Sequence, residues 1–145
     1  MPNEILEFLK GEQVGVLAVE MMDGAPHGAT VHFAHTEDPF VFYFETYREY
    51  RKCGALFGRE KSRASFVVGC DENTKKTLQL DGEVQLIKPE EKEAYDEIYF
   101  GKFPNKKEKS IDPKFVFFKF TPTWWRFTDF KHKDGKLILL STDLL

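Results

Sequence analysis

The stretch HGATVHFAHTEDPFVFYFETYREYRK, residues 27–52, decides how the fold is read. His27 to His35 has the composition of a strand, and Glu37-Asp38-Pro39 closes it with turn residues. Phe40 to Phe44 (FVFYF) is then a second strand, because β-branched and aromatic side chains favour the pleated surface. So short a connection permits only an antiparallel return. Thr46 and Glu49 stand at capping-box spacing, which predicts a helix from Tyr47 to about Phe57.

Working outward, Gln13 to Met22 (QVGVLAVEMM) reads as the strand before, joined through a hairpin signal at Asp23-Gly24. Ahead of it, residues 3–9 form a short amphipathic helix with Ile5, Leu6 and Leu9 on one side, stopped by Gly11. Downstream, Arg63 to Cys70 and Thr77 to Ile87 are strands, and Pro89 opens an acidic helix whose apolar face is Tyr95, Ile98 and Tyr99. Gly101 to Asp112 is a Lys-rich loop expected to be solvated. Phe115 to Phe130 supplies one or two strands around Thr121-Pro122, and Lys136 to Ser141 a last one behind the Asp134-Gly135 turn. Six or seven closely spaced strands with short helices predict a mainly β chain, an antiparallel barrel closed or partly closed, with residues 1–145 as a single domain.

Composition narrows the function classes. The 145 residues include 15 Phe, 5 Tyr and 2 Trp, enough aromatic surface for a strand-rich core, a flat cofactor or a subunit interface. The net charge of −3 gives no reason to expect nucleic-acid or membrane binding. Cys53 and Cys70 are too few for a disulfide scaffold and lack metal-ligand spacing. With no signal-peptide pattern and no membrane-length apolar run, a reducing cytoplasm is the expected setting.

Three places carry candidate chemistry. Arg48, Arg51, Lys52, Arg59, Lys61 and Arg63 face only Glu49 and Glu60 in their stretch, inside a net acidic chain. If Thr46 caps a helix, Arg51 and Lys52 leave its first turns beside free N–H groups, an arrangement that attracts phosphate; the alternative is a solvated helix face. His27-Gly28-Ala29-Thr30-Val31-His32 offers small residues over which a planar group can lie. His27 and His32 are five apart, on opposite strand faces, and nothing completes a metal site around them and His35. Of Trp124 and Trp125, one faces a core and the other a ligand or a partner subunit. P-loop, dinucleotide and nucleophile-elbow motifs are lacking, so hydrolase chemistry has no foothold.

The order of these elements, from about Ile5 to Ile138, resembles the pyridoxamine-5′-phosphate-oxidase-like FMN-binding split barrels, in particular small members known as general stress proteins or nitroimidazole-resistance-like proteins. The resemblance implies a homodimer that holds FMN at its interface and acts as an oxidoreductase on an unidentified small molecule, with a nicotinamide cofactor as a candidate reductant. Where the family carries Arg and Lys around the segment lining the flavin ring, this chain has His27 and His32, with Thr30 and Val31 between. The family's aromatic strand ends in Thr before a phosphate-gripping triplet. Its counterparts are Phe42-Tyr43-Phe44, then Glu45 and Thr46, then Tyr50-Arg51-Lys52, with Tyr50 in place of Ser. The Gly-centred strand corresponds to Gln79–Val84, with Thr77 or Gln79 at the flavin-facing Gln position. Trp125 and Arg126 match residues that the second subunit contributes. Vitamin B6 oxidation is not implied, since the substrate-phosphate residues of the true oxidases have no clear counterparts. Other readings stay open: flavin binding without turnover, as a stress-linked sensor or carrier; haem or a deazaflavin in the barrel, with His27, His32, His35 or His132 as haem ligand; or an empty site.

Overall fold

The computed structural model describes residues 1–69 and 71–144; Cys70, the expected end of the strand that starts at Arg63, lies outside the described residues. The elements are α1 (Asn3–Lys10), β1 (Val14–Glu20), β2 (Pro26–His32), β3 (Ala34–Glu37), β4 (Phe40–Tyr47), α2 (Cys53–Gly58), β5 (Ser62–Val68), β6 (Lys76–Leu86), α3 (Lys92–Lys102), β7 (Phe115–Asp129) and β8 (Leu137–Leu140). The strands form one antiparallel sheet in the order β2-β1-β5-β6-β7-β4-β3, with β8 on β7. The β1–β2 and β7–β8 turns place Gly24 and Gly135 at φ 89° and 99°, where other residues are strained.

The two ends of that order are neighbours in sequence. The expected strand His27–His35 is interrupted at Phe33: Pro26–His32 pairs with β1, and Ala34–Glu37 pairs with β4. One bent run thus closes the sheet into a split barrel. Beyond the Ala34–Tyr43 pair, β4 keeps only β7 as a strand partner among the described residues, while β2 keeps only β1. The free edges of β2 and β4 face each other across an opening.

Rings fill the barrel. Phe33, Phe42, Phe44, Phe66, Phe118 and Phe120 are all fully buried, and Phe66 lies within 5.5 Å, centroid to centroid, of Phe33, Phe42 and Phe44. Outside the barrel, Tyr95, Tyr99 and Phe100 of α3, with Phe103 just after it, pack against Ala34, Tyr43 and Phe117. The buried Tyr95 hydroxyl donates to the Phe44 carbonyl at 2.9 Å, capping the β4 edge just where β3 stops.

Several boundaries differ from the sequence reading. The helix expected from Tyr47 to Phe57 is only Cys53–Gly58, because β4 continues through the pairs Thr46–Val116 and Tyr47–Phe115. Thr46 is therefore a strand residue and caps nothing. Arg51 and Lys52 lie in the turn before a six-residue helix, so the helix-dipole argument for them falls. Phe115–Asp129 is a single strand of 15 residues. The loop expected to be solvated is partly ordered: α3 runs to Lys102, and two single turns of 3₁₀ helix follow at Pro104–Lys106 and Lys109–Ile111. No helix among the described residues is long and apolar enough to cross a membrane.

Candidate functional site

Pairing on β4 sets the site. Its alternation turns Phe42, Phe44 and Thr46 inward and Tyr43, Glu45 and Tyr47 outward. Where β3 no longer covers it, a cavity of about 310 Å³ opens between β2 and β4. Thr30, Val31 and His32 form one wall, and Glu45, Thr46 and Tyr47 another. Tyr50, Lys52 and Phe115 close one end, and Lys106 and Lys109 cross over it from the segment after α3.

The polar groups here are short of partners. Thr46 Oγ1 is buried with no hydrogen bond, the one orphaned side-chain atom among the described residues that lines this cavity. Lys52 is only 4% exposed and makes no ion pair among the described residues; its ammonium lies 4.9 Å from the centroid of the Tyr50 ring. Burial pushes the Lys52 pKa down, as it does for Lys106, which Glu45 pulls back up. The Lys106 ammonium sits 4.7 Å from the Phe103 ring centroid and donates weakly to the Tyr99 hydroxyl at 3.4 Å. Burial pushes Glu45 up, opposed by the Ser110 hydroxyl and by the Lys106 and Lys92 ammonium groups. The His32 ring meets Phe103 edge-on at 5.5 Å, and burial, then Lys106 and Lys102, hold its pKa below the ordinary value. A buried ammonium such as that of Lys52 and a buried hydroxyl, each without a hydrogen-bond partner, are costly on their own, and an anionic oxygen ligand would satisfy both.

Of the residues named from sequence, the cavity gathers Thr30, Val31, His32, Glu45, Thr46, Tyr50 and Lys52. Arg51 is exposed and outside the lining; His27 lies further along β2, opposite Val19. Trp125 is 6% exposed and packs in the barrel's own core, and Arg126 donates to Gln79 Oε1 at 3.1 Å on the outer face. Sequence reasoning missed Lys106 and Lys109. Their signal was a second lysine-rich run, Lys102, Lys106, Lys107 and Lys109, bounded by the aromatic Phe103. A larger concavity of about 770 Å³ lies elsewhere, but Glu20, Asp81 and Glu83 line it against Arg63, which is already paired to Glu20. Its charge disfavours a phosphate. Among the described residues no three His, Cys, Asp or Glu side chains are grouped to hold a metal ion.

Solved structures of the same fold include a protein related to general stress protein 26 from Clostridium acetobutylicum, 15% identical, TM-score 0.69, covering 98% of this chain and 95% of that one. A haem-binding protein from Mycobacterium smegmatis is 14% identical with TM-score 0.72, over 96% of this chain and 58% of that one. A haem storage protein from Vibrio cholerae is 16% identical with TM-score 0.64, over 82% and 87%. No curated protein matches the sequence. The family model of pyridoxamine 5′-phosphate oxidase matches residues 1–129, and the chain, a split barrel with its cationic cavity at the split, belongs to that family.

Proposed function

We propose that this chain is an FMN-binding protein and an FMN-dependent oxidoreductase of a small molecule, working as a homodimer in a reducing cytoplasm. The observation that carries the reading is an orphaned, buried Thr46 hydroxyl and an unpaired, buried Lys52 among the residues that line one cavity. A phosphate monoester supplies what they lack: acceptor oxygens and negative charge. Lys106 and Lys109 would add charge from the other side. The cavity is at the small end of the range for ligand sites, so the flavin ring would extend along Thr30 and Val31 onto the outer face of β2 and β1. That face carries the exposed Val14 and Val16, a surface suited to a second copy. Bound FMN supplies the redox chemistry, while the protein orients it and sets its electrostatics. Arg51, His27 and Arg126 belong to the proposal only as outer groups that the dimer would bring near.

The test is the absorption spectrum of the purified protein with added FMN, followed by titration of variants. Lys52→Ala should weaken FMN binding about ten- to a hundredfold, the worth of one charge-assisted hydrogen bond. Thr46→Val should weaken it less, and Arg51→Ala least. Oxidation of NADH or NADPH by the FMN-loaded protein tests the enzymatic part. A protein that takes up no FMN would overturn the cofactor assignment. A second reading, haem binding, is favoured by two of the structural neighbours and by His32, a cavity-lining imidazole biased toward its neutral, ligating form. A Soret band on adding haem, lost in His32→Ala, would select it.

A further inference from the structure

Glu45 is the one carboxylic acid lining the cavity among the described residues. Its Oε2 is in hydrogen-bond contact with Ser110 Oγ, on the second 3₁₀ turn after α3. The same Oγ lies 2.8 Å from the carbonyl oxygen of Lys106. A serine hydroxyl carries one hydrogen, and a carbonyl carries none. Both contacts are hydrogen bonds at once only when Ser110 donates to Lys106 and a neutral Glu45 carboxyl donates to Ser110. Ser110 is itself buried.

We propose that Glu45 is a specificity-determining residue of this cavity, held by Ser110 as a neutral acid, and that the cavity takes anionic ligands well only in that state. The inference rests on the reading of the cavity as a phosphate site. With Glu45 neutral, Lys52, Lys106 and Lys109 face the ligand unopposed. Ionisation sets a carboxylate among them, cancels one charge and turns repulsion on the incoming anion. The groups facing Glu45 come from every side. Lys106 of the first 3₁₀ turn and Lys92 of α3 favour its ionised form, while burial opposes that form and outweighs them. Tyr95 and Tyr99 of α3 are held above the ordinary tyrosine range and stay uncharged. His32 on β2 is biased neutral, and Lys52 stands at the far end. The Ser110 hydroxyl would pull Glu45 down only by giving it the hydrogen that the Lys106 carbonyl claims.

The experiment measures binding of inorganic phosphate and of FMN by the full chain, as a function of pH, in the natural protein and in Glu45→Gln. Glutamine keeps the size, offers an N–H to Ser110 and never ionises. The expected result is affinities that converge at acid pH and diverge as pH rises through the Glu45 midpoint, with the variant about tenfold tighter at the alkaline end, the equivalent of one pK unit of coupling. Titration of phosphate and of the lysines is common to both proteins and drops out of the difference. Parallel profiles would overturn this inference and leave the phosphate site standing; absence of any binding would overturn both. A carboxyl-carbon NMR titration gives an answer independent of ligand. In Ser110→Ala the Glu45 midpoint should fall, because the neutral acid loses its acceptor; a rise would show Ser110 donating to a carboxylate and sink the proposal.

Discussion

The barrel interior and the split share a strand, yet they treat it in opposite ways. Along β4, Phe42 and Phe44 enter a ring cluster with no polar atom to satisfy, and two residues later Thr46 points the same way with an unbonded hydroxyl. The change falls where β3 stops pairing and the sheet opens. Pairing on both edges makes a strand a wall; losing one partner makes it a rim. Polar and cationic groups then collect at the rim without internal partners, which is destabilising for the free protein and useful for a ligand. Stability should therefore respond to the interior and binding to the split, with little crossover.

The largest effect should come from Phe66→Ala. Phe66 is fully buried and meets Phe33, Phe42, Phe44 and Phe120, so its removal leaves a cavity that rigid rings cannot fill. A loss of about 3–5 kcal/mol in denaturant unfolding is expected. Tyr50→Ala at the rim, where the residue is 49% exposed, should cost less than about 1 kcal/mol. Equal losses would break the comparison.

Much of this division was legible in the sequence. The strand runs, the hairpin glycines and the family resemblance together bring Thr30, Thr46 and Lys52 near one another, and one cavity gathers all three. Two features were not, for physical reasons. On β7 the inward residues are Phe118 and Phe120 but then Trp125 and Phe127, a change of phase. It arises at a bulge, where Asp81 pairs with Trp124 and Gly82 with Pro122, leaving Thr123 as an extra residue. A Cβ on Gly82 would stand 2.2 Å from the Thr121 carbonyl oxygen, so the bulge needs that glycine. Alternation read along a sequence cannot reveal such a slip, and it moved Trp125 from an expected interface into the core. The second feature is the segment after α3. Its lysines look solvated in sequence because nothing local tells that Ser110 docks on Glu45, 65 residues away, and turns Lys106 inward.

A pair of histidines sharpens the comparison at intermediate cost. His32 and His35 lie on either side of Phe33, one exposed at the split, the other half-buried against Phe33 and Phe42. The His35 pKa is pushed down to about 4, chiefly by burial, then by Lys102, against a pull upward from Glu37 and a further push down from Lys10. A depressed histidine pKa means that the unfolded chain binds the proton more readily. Its stability contribution is complete above the unfolded value of about 6.5 and is lost as pH falls toward the folded value. On that basis, acidification across this window should cost the natural protein about 2 kcal/mol more than His35→Phe, after allowance for partial exposure. His32→Phe should leave the acid limb close to that of the natural protein. If the two substitutions behave alike, the split is as closed as the interior.

The smallest expected effect separates two adjacent lysines. Lys106 lines the cavity, whereas Lys107, next to it, is exposed and outside the lining. Both contribute the same charge to the molecule's long-range field, but only Lys106 has an ammonium group partly stripped of water and held over Phe103. A partner in that position should weaken FMN or phosphate binding several-fold when truncated, and its loss should persist in moderate salt, because buried charges are poorly screened. Lys107→Ala should stay within about 0.5 kcal/mol of the natural protein in both stability and binding. If Lys107→Ala instead weakens binding as much as Lys106→Ala, and added salt erases both losses, the segment after α3 acts as a diffuse positive field. The cavity would then end at Lys52 and Thr46, with the crossing segment as its cover and not its wall.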